Sequence, residues 1–167
     1  VYYYASIPGK SMTDLDKHNK DWEDWNQNNP DLVALYEKYK HTISKTEKSL
    51  WRHSPKYSYN PEGYKETENA TYTRIYRGFV KFGHEKEVNQ LLEEFKTIWK
   101  ESGVSYPYAV YWNVYGEEGP SVSFLTRYTS AADWSAEEKE VIAKVGEEKL
   151  NDIMARWNEH ILEWKSI

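Results

Sequence analysis

The sequence contains no cysteine. This removes disulfides, thiolate nucleophiles, iron–sulfur clusters and thiolate zinc sites from consideration, though it leaves the compartment open. No apolar run approaches the ~20 residues that span a bilayer as a helix. No cluster of Lys and Arg stands against the net charge of −5. Phosphate contacts dominate nucleic-acid affinity, so neither nucleic acid nor an anionic membrane surface is an expected partner. The sequence also lacks a P-loop, a dinucleotide-binding glycine fingerprint, a G-x-S-x-G elbow and an H-E-x-x-H zinc motif.

Aromatic residues are abundant: 15 Tyr, 8 Trp and 4 Phe among 167 residues. Tyr and Trp suit half-buried strands, clefts and interfaces, where a ring is covered and a polar tip stays wet. With 39% hydrophobic and 29% charged residues, the chain is neither membrane-embedded nor disordered. It begins at Val1, without Met, inside a strand-like run, which is read as a removed leader or a piece of a longer chain. That beginning and the aromatic composition point to an extracytoplasmic setting, periplasmic or secreted.

Hydrophobic periodicity lays out the elements. Residues 1–7 (VYYYASI) read as a strand ended by Pro8 and Gly9. A helix is expected over 13–26, broken at Asn28-Asn-Pro30. A second, capped by Asp31, carries Leu32, Leu35, Tyr36, Tyr39 and Ile43 on one stripe to about residue 49. A short strand lies within 49–59, and the polar stretch 61–69 reads as a linker. Residues 71–82 form a strand, and 84–102 an amphipathic helix with Val88, Leu91, Leu92, Phe95 and Trp99 on its apolar stripe. Strands at 106–115 and 121–128 flank a Gly-Glu-Glu-Gly-Pro turn. A helix over 136–164, bent at Gly146, carries Leu150, Ile153, Met154, Trp157 and Ile161.

The order strand–helix–strand–strand–helix over 70–167 is a ferredoxin-like unit without its last strand. The first fifty residues repeat the last fifty. The stripe Leu32 to Ile43 matches Leu150 to Ile161 at an offset of 118, and Ser11, Asp14 and Leu15 match Ser130, Asp133 and Trp134 at 119. Residues 1–60 therefore read as the back half of a first unit. An upstream β-α-β stretch, or another chain, is expected to supply its missing strands. The fold class expected is α+β, with tandem ferredoxin-like units forming an α+β barrel and the first unit incomplete.

The strand and turn Tyr76-Arg-Gly-Phe-Val-Lys-Phe-Gly83, the amphipathic helix after it and the following hairpin resemble the dimeric α+β-barrel superfamily, in particular its NIPSNAP-like and antibiotic-biosynthesis-monooxygenase-like members. The resemblance covers 70–164, and 1–60 more loosely. It implies two sheets facing one another around a cleft, and a homodimer or another protein chain as partner. The superfamily includes oxygenases, isomerases and haem-handling enzymes, and fold alone does not choose among them.

Strand alternation offers candidate residues. Val110, Trp112, Val114 and Phe124 read as the helix-packing face, so Tyr111, Asn113, Tyr115 and Arg127 point to the cleft, with Arg74 and Tyr76 placed beside them. Such a set suits a small polar-aromatic or carboxylate-bearing ligand. It equally suits ordinary interface packing. His53 and His84 are candidate general bases, since histidine titrates near neutrality. His18, His41 and His160 read as helix-surface or helix-edge residues. The pairs His160/Glu163 and Asp21/Asp24 have chelating spacing that chance alone supplies in a chain with 27 acidic residues, so neither a metal nor a cofactor is expected. Asn69-Ala-Thr71 fits a glycosylation sequon. The leading functional reading is a binding module with its ligand in the cleft. Its rivals are a cofactor-independent oxygenase or isomerase using Tyr, Asn and His there, and a structural subunit of a larger assembly.

Overall fold

A computed structural model describes residues 9–43, 48–64 and 70–166. The strand expected over 1–7 lies outside these residues. The chain divides into two compact units, Val1–Thr46 and Glu47–Ile167. The division falls ahead of residue 50, not in the 61–69 stretch, because residues 50–59 pair with the second unit's sheet.

The described part of the first unit is a helix pair. Helix α1 (Met12–Asn28) opens on a capping box: the Ser11 side chain accepts from the Asp14 amide, and the Asp14 carboxylate accepts from Ser11 N at 3.0 Å and Lys10 N at 2.6 Å. These backbone donors, Lys10 first, hold the exposed Asp14 carboxyl below its usual range. The helix ends where Asn28 and Asn29 turn their amides back onto the Asp24 and Trp25 carbonyls. Pro30 then starts α2 (Pro30–Tyr39). This second helix is shorter than its stripe suggests. It passes into a 3-10 turn at Lys40–Thr42, and Ile43 is extended. Trp22 stacks on Trp25, and Leu32, Leu35, Tyr36 and Tyr39 are each about half exposed.

The second unit holds β1 (Leu50–His53), β2 (Tyr72–Val80), α3 (Glu85–Glu101), β3 (Ala109–Tyr115), β4 (Ser121–Tyr128), α4 (Ala131–Val145), α5 (Glu147–His160) and β5 (Ile161–Ser166). All strand pairs are antiparallel, in the order β1-β3-β4-β2-β5. The β2-to-β5 stretch is a ferredoxin-like βαββαβ unit, with β1 added beyond β3. The α+β class holds. Among the described residues no helix is long and apolar enough to cross a membrane.

Two expectations are corrected here. The unit does not lack its closing strand, because residues 161–166 pair with β2 and do not continue the last helix. Ile161 extends the i+4 stripe of α5, yet its backbone is extended (φ −104°, ψ 136°) and it is buried beside Val80 as the first residue of β5. The last helical stretch also begins earlier, at Ala131, and is two helices. Gly146, at φ +88°, stops α4 in a conformation that L side chains rarely adopt.

The core lies between one sheet face and helices α3 and α5. Val88, Leu91, Leu92, Ile98 and Trp99 from α3 meet Ile153 and Trp157 from α5 over Val80, Val110 and Val122. The α3 stripe buries as its periodicity requires. Ser130 caps α4 by accepting from the Asp133 amide at 3.2 Å, as Ser11 caps α1. Both halves of the proposed repeat thus present a helix pair opened by the same Ser-x-x-Asp cap.

Gly78 explains how β5 closes the sheet. It pairs with Trp164, whose ring stacks on Tyr76 at 4.8 Å and touches Trp157. A Cβ on Gly78 would lie 2.8 Å from the Trp164 ring. Its φ is not in the left-handed region, so alanine would otherwise gain about 0.4–1 kcal/mol through the unfolded chain. Overpacking costs about 1–3 kcal/mol and outweighs that gain. Gly78→Ala is therefore expected to lower the urea midpoint. An unchanged midpoint would mean that Trp164 moves aside freely.

Candidate functional site

The β2–β4 register sorts the sheet's side chains. Arg77 is opposite Ser123 and Gly78 opposite Val122, while on β3 Tyr111 is opposite Ser123 and Trp112 opposite Val122. Val110, Trp112, Val122 and Phe124 therefore share the helix-packed face. Tyr111, Asn113, Tyr115, Ser123 and Arg127 lie on the other face, as alternation predicts. Arg74 and Tyr76 do not join them. Tyr76 pairs with Phe124 on the helix side, so the charged side chain that β2 contributes to the open face is Arg77, with Ile75 and Phe79 on either side of it.

Arg77 is held by three partners on that face. Its guanidinium sits 4.5 Å from the centre of the Trp51 ring, donates to Glu117 at 2.8 Å and to the Ser123 hydroxyl at 3.3 Å. The Arg77 and Glu117 side chains are only 13% and 17% exposed. A paired, largely desolvated guanidinium on an indole face is a rigid platform. Glu117 comes from the β3–β4 turn, and Trp51 from β1, where its Nε1 donates to Ser49.

Beside this platform lies a shallow depression of about 770 Å³, lined by Lys48, Asn113, Tyr115, Glu117, Gly119 and Pro120. Asn113 donates its amide to the carbonyls of Tyr115 at 3.1 Å and Leu50 at 3.4 Å. Both donors are thus used, which leaves Oδ1 as an acceptor. Tyr115 is largely exposed. Ser121 is fully buried on the same face, and its hydroxyl has no partner among the described residues.

His53 lies opposite Tyr111, with the ring centres 5.1 Å apart. Its Nε2 is 3.2 Å from Ser58 Oγ, while that hydroxyl donates to Ser54 O at 2.9 Å and accepts from the Val110 amide. With its proton given to Ser54, Ser58 accepts from His53 Nε2–H, so Nδ1 is the basic nitrogen. His53 is exposed. His84 is elsewhere, at the start of α3, against His160.

On the helix side, Arg74 lies over the rings of Trp134 at 4.5 Å and Tyr76 at 5.4 Å. Nearby, buried Tyr128 donates its hydroxyl to Glu137. Burial pushes the Glu137 carboxyl up, and it pushes the Tyr128 phenol up as well. Neither residue stood out in the sequence, because one ends a strand, the other lies inside a helix, and no local spacing joins them.

Glu137 carries a pH signature. A carboxyl whose folded pKa is raised binds its proton more tightly in the folded state. Its contribution is fully present below the ordinary value of 4.5 and is lost as pH rises through the folded value. Glu137→Gln keeps an acceptor for Tyr128 but cannot ionise. It is expected to match the native protein in stability at low pH and to exceed it progressively above pH 4.5, by chemical denaturation across pH. Parallel stability curves would show that Glu137 titrates normally.

The second unit defines an α+β, ferredoxin-like protein with one sheet face packed by helices and the other carrying an aromatic–guanidinium platform. A solved structure, described as a crystal structure study of an anthrone oxidase-like protein, is similar over 82% of this chain at 16% identity, with a TM-score of 0.51. The chain spans 64% of that protein's length. At this identity the likeness concerns the fold. No protein-family model matches the sequence, and no curated protein does.

Proposed function

We propose that the chain is a small-molecule-binding module of the dimeric α+β-barrel kind, and that its ligand is a flat, polar-aromatic compound lying on the open sheet face. The observation that carries this reading is the Trp51–Arg77–Glu117 stack beside the depression at Asn113 and Tyr115. Trp51 and Tyr115 supply ring surface, and Asn113 Oδ1 accepts from a ligand hydroxyl. Arg77, its charge matched by Glu117, offers remaining N–H donors to a carbonyl or carboxylate without requiring a full counter-charge. The similar solved protein is described as anthrone oxidase-like, and an anthrone is a fused-ring ketone of this flat, polar-aromatic character. In this reading the platform is covered by the sheet of a second copy, which makes the active species a homodimer.

The test is a panel of hydroxylated aromatic ketones and acids, titrated while intrinsic tryptophan fluorescence is read. At least one member is expected to quench saturably. Asn113→Ala should then weaken its binding by about tenfold, the equivalent of one hydrogen bond of ~1.4 kcal/mol. A panel with no saturable binder, or a binder indifferent to both Asn113→Ala and Trp51→Ala, would sink the reading.

A specific contact favours a catalytic variant of this reading. His53 has its Nε2–H engaged and its Nδ1 basic, beside the Tyr111 ring, as a general base for an acidic C–H or phenolic O–H requires. With a quenching ligand in hand, oxygen consumption decides. If the module is a cofactor-independent oxygenase, consumption is catalytic and His53→Ala lowers kcat by about 100-fold or more with little change in binding. Binding without oxygen uptake leaves the protein a carrier or sensor.

A further inference from the structure

His84 and His160 are 76 residues apart in sequence, yet their Nδ1 atoms lie 2.8 Å apart, with ring planes inclined at 54°. We propose that these two imidazoles form a binding site for a divalent copper or nickel ion. Both rings sit at junctions of regular structure, which fixes them better than a loop does. His84 precedes α3 and leaves that helix without a side-chain cap, since its ring is turned to His160 instead. His160 ends α5 immediately before β5. The two junctions are tied to each other through the backbone, because Lys81 N donates to His160 O at 2.9 Å and His84 N to Lys81 O at 3.0 Å. The rings therefore meet at fixed points of the backbone, and both are half-buried.

The separation is that of an N–H···N hydrogen bond, and it is also close to the cis bite of two imidazoles on one ion. With metal–imidazole bonds of 2.0–2.1 Å, two nitrogens about 2.8 Å apart subtend about 85–90° at the ion. That is the cis angle of a square-planar or tetragonal centre, the geometry of Cu(II) and Ni(II). A tetrahedral zinc site would hold the nitrogens about 3.3 Å apart. In the free protein one Nδ1–H donates to the other Nδ1. In the loaded form both protons reside on Nε2, and water fills the remaining positions. The nearby charges do not forbid a cation. The Lys81 ammonium, held on Glu159 O at 2.7 Å next along the chain to His160, opposes a cation here, and the acidic neighbours of the two histidines offset it. The N-terminus of α3 disfavours positive charge and the C-terminus of α5 favours it, so the two helix ends offset one another. Glu85 and Glu159, the sequence neighbours of the two histidines, add negative charge.

The experiment uses untagged protein titrated with Cu(II), Ni(II) and Zn(II). One equivalent of copper is expected to bind, with a tetragonal electron paramagnetic resonance spectrum showing two nitrogen ligands. Copper should raise the melting temperature, as any ligand of the folded state does. His84→Asn and His160→Asn each keep an amide where Nδ1 stood, which preserves the hydrogen bond to the remaining ring. Each should lower copper affinity by well over about 100-fold, beyond the roughly 10–100-fold that loss of an outer-shell partner costs. Copper affinity unchanged in both variants would overturn the proposal, as would tighter binding of zinc than of copper. Should either variant lose its fold, the native protein still decides. Copper-induced NMR line broadening centred on residues 81–84 and 158–161 supports the site, and broadening centred on any other histidine refutes it.

Discussion

The pairing of β2 with β4 sets the division of labour in the sheet. Side chains on a strand alternate, so a slip of one residue would carry Val80 and Tyr76 to the open face and drive the Arg77 guanidinium into the core beside Trp157. The penalty for burying that charge without Glu117 would far exceed what one strand's hydrogen bonds return. Gly78 strengthens this specification, because the Trp164 ring fits only over the position on β2 that lacks a side chain. Core, platform and closing strand are thus three consequences of one register, set by the residue pairs Arg77–Ser123 and Gly78–Val122.

The two faces handle charge differently. On the open face Arg77 and Glu117 are both largely covered and satisfy one another through a short hydrogen bond. On the helix face the carboxyl of Glu137 is buried against a phenol, and the environment favours its neutral form. The open face thus fixes a charge pair in place, while the helix face tilts a carboxyl towards its neutral form.

Much of the scaffold was legible in the sequence because it depends on local periodicity. The α3 stripe from Val88 to Trp99, the alternation of Val110, Trp112 and Phe124 against Tyr111 and Asn113, and the Ser-x-x-Asp caps all follow from residues a few positions apart. What escaped depends on distant partners. Ile161 sits four residues after Trp157 and reads as helix; only pairing with Val80 makes it strand. The parity of β2 was ambiguous because Arg74, Tyr76 and Arg77 are all polar or aromatic, and the neighbouring strands settle which of them faces the helices. His84 read as a candidate general base and His160 as a helix-edge residue, and nothing within either segment announces a contact across 76 positions. The 3-10 turn after Tyr39 likewise breaks a stripe that the apolar spacing alone would continue.

The short edge strand β1 stands outside the ferredoxin-like unit, yet it supplies Trp51 and His53 to the open face. Among the described residues, the buried aliphatics of the second unit all lie in the βαββαβ core from β2 to β5. The core and the border of the open face are therefore written in different stretches of the chain. Four residues, Leu50–His53, form a half-exposed border whose side chains can vary without touching the buried aliphatic core. In such an arrangement, new specificities are reached by rewriting an edge, with the interior left as it is.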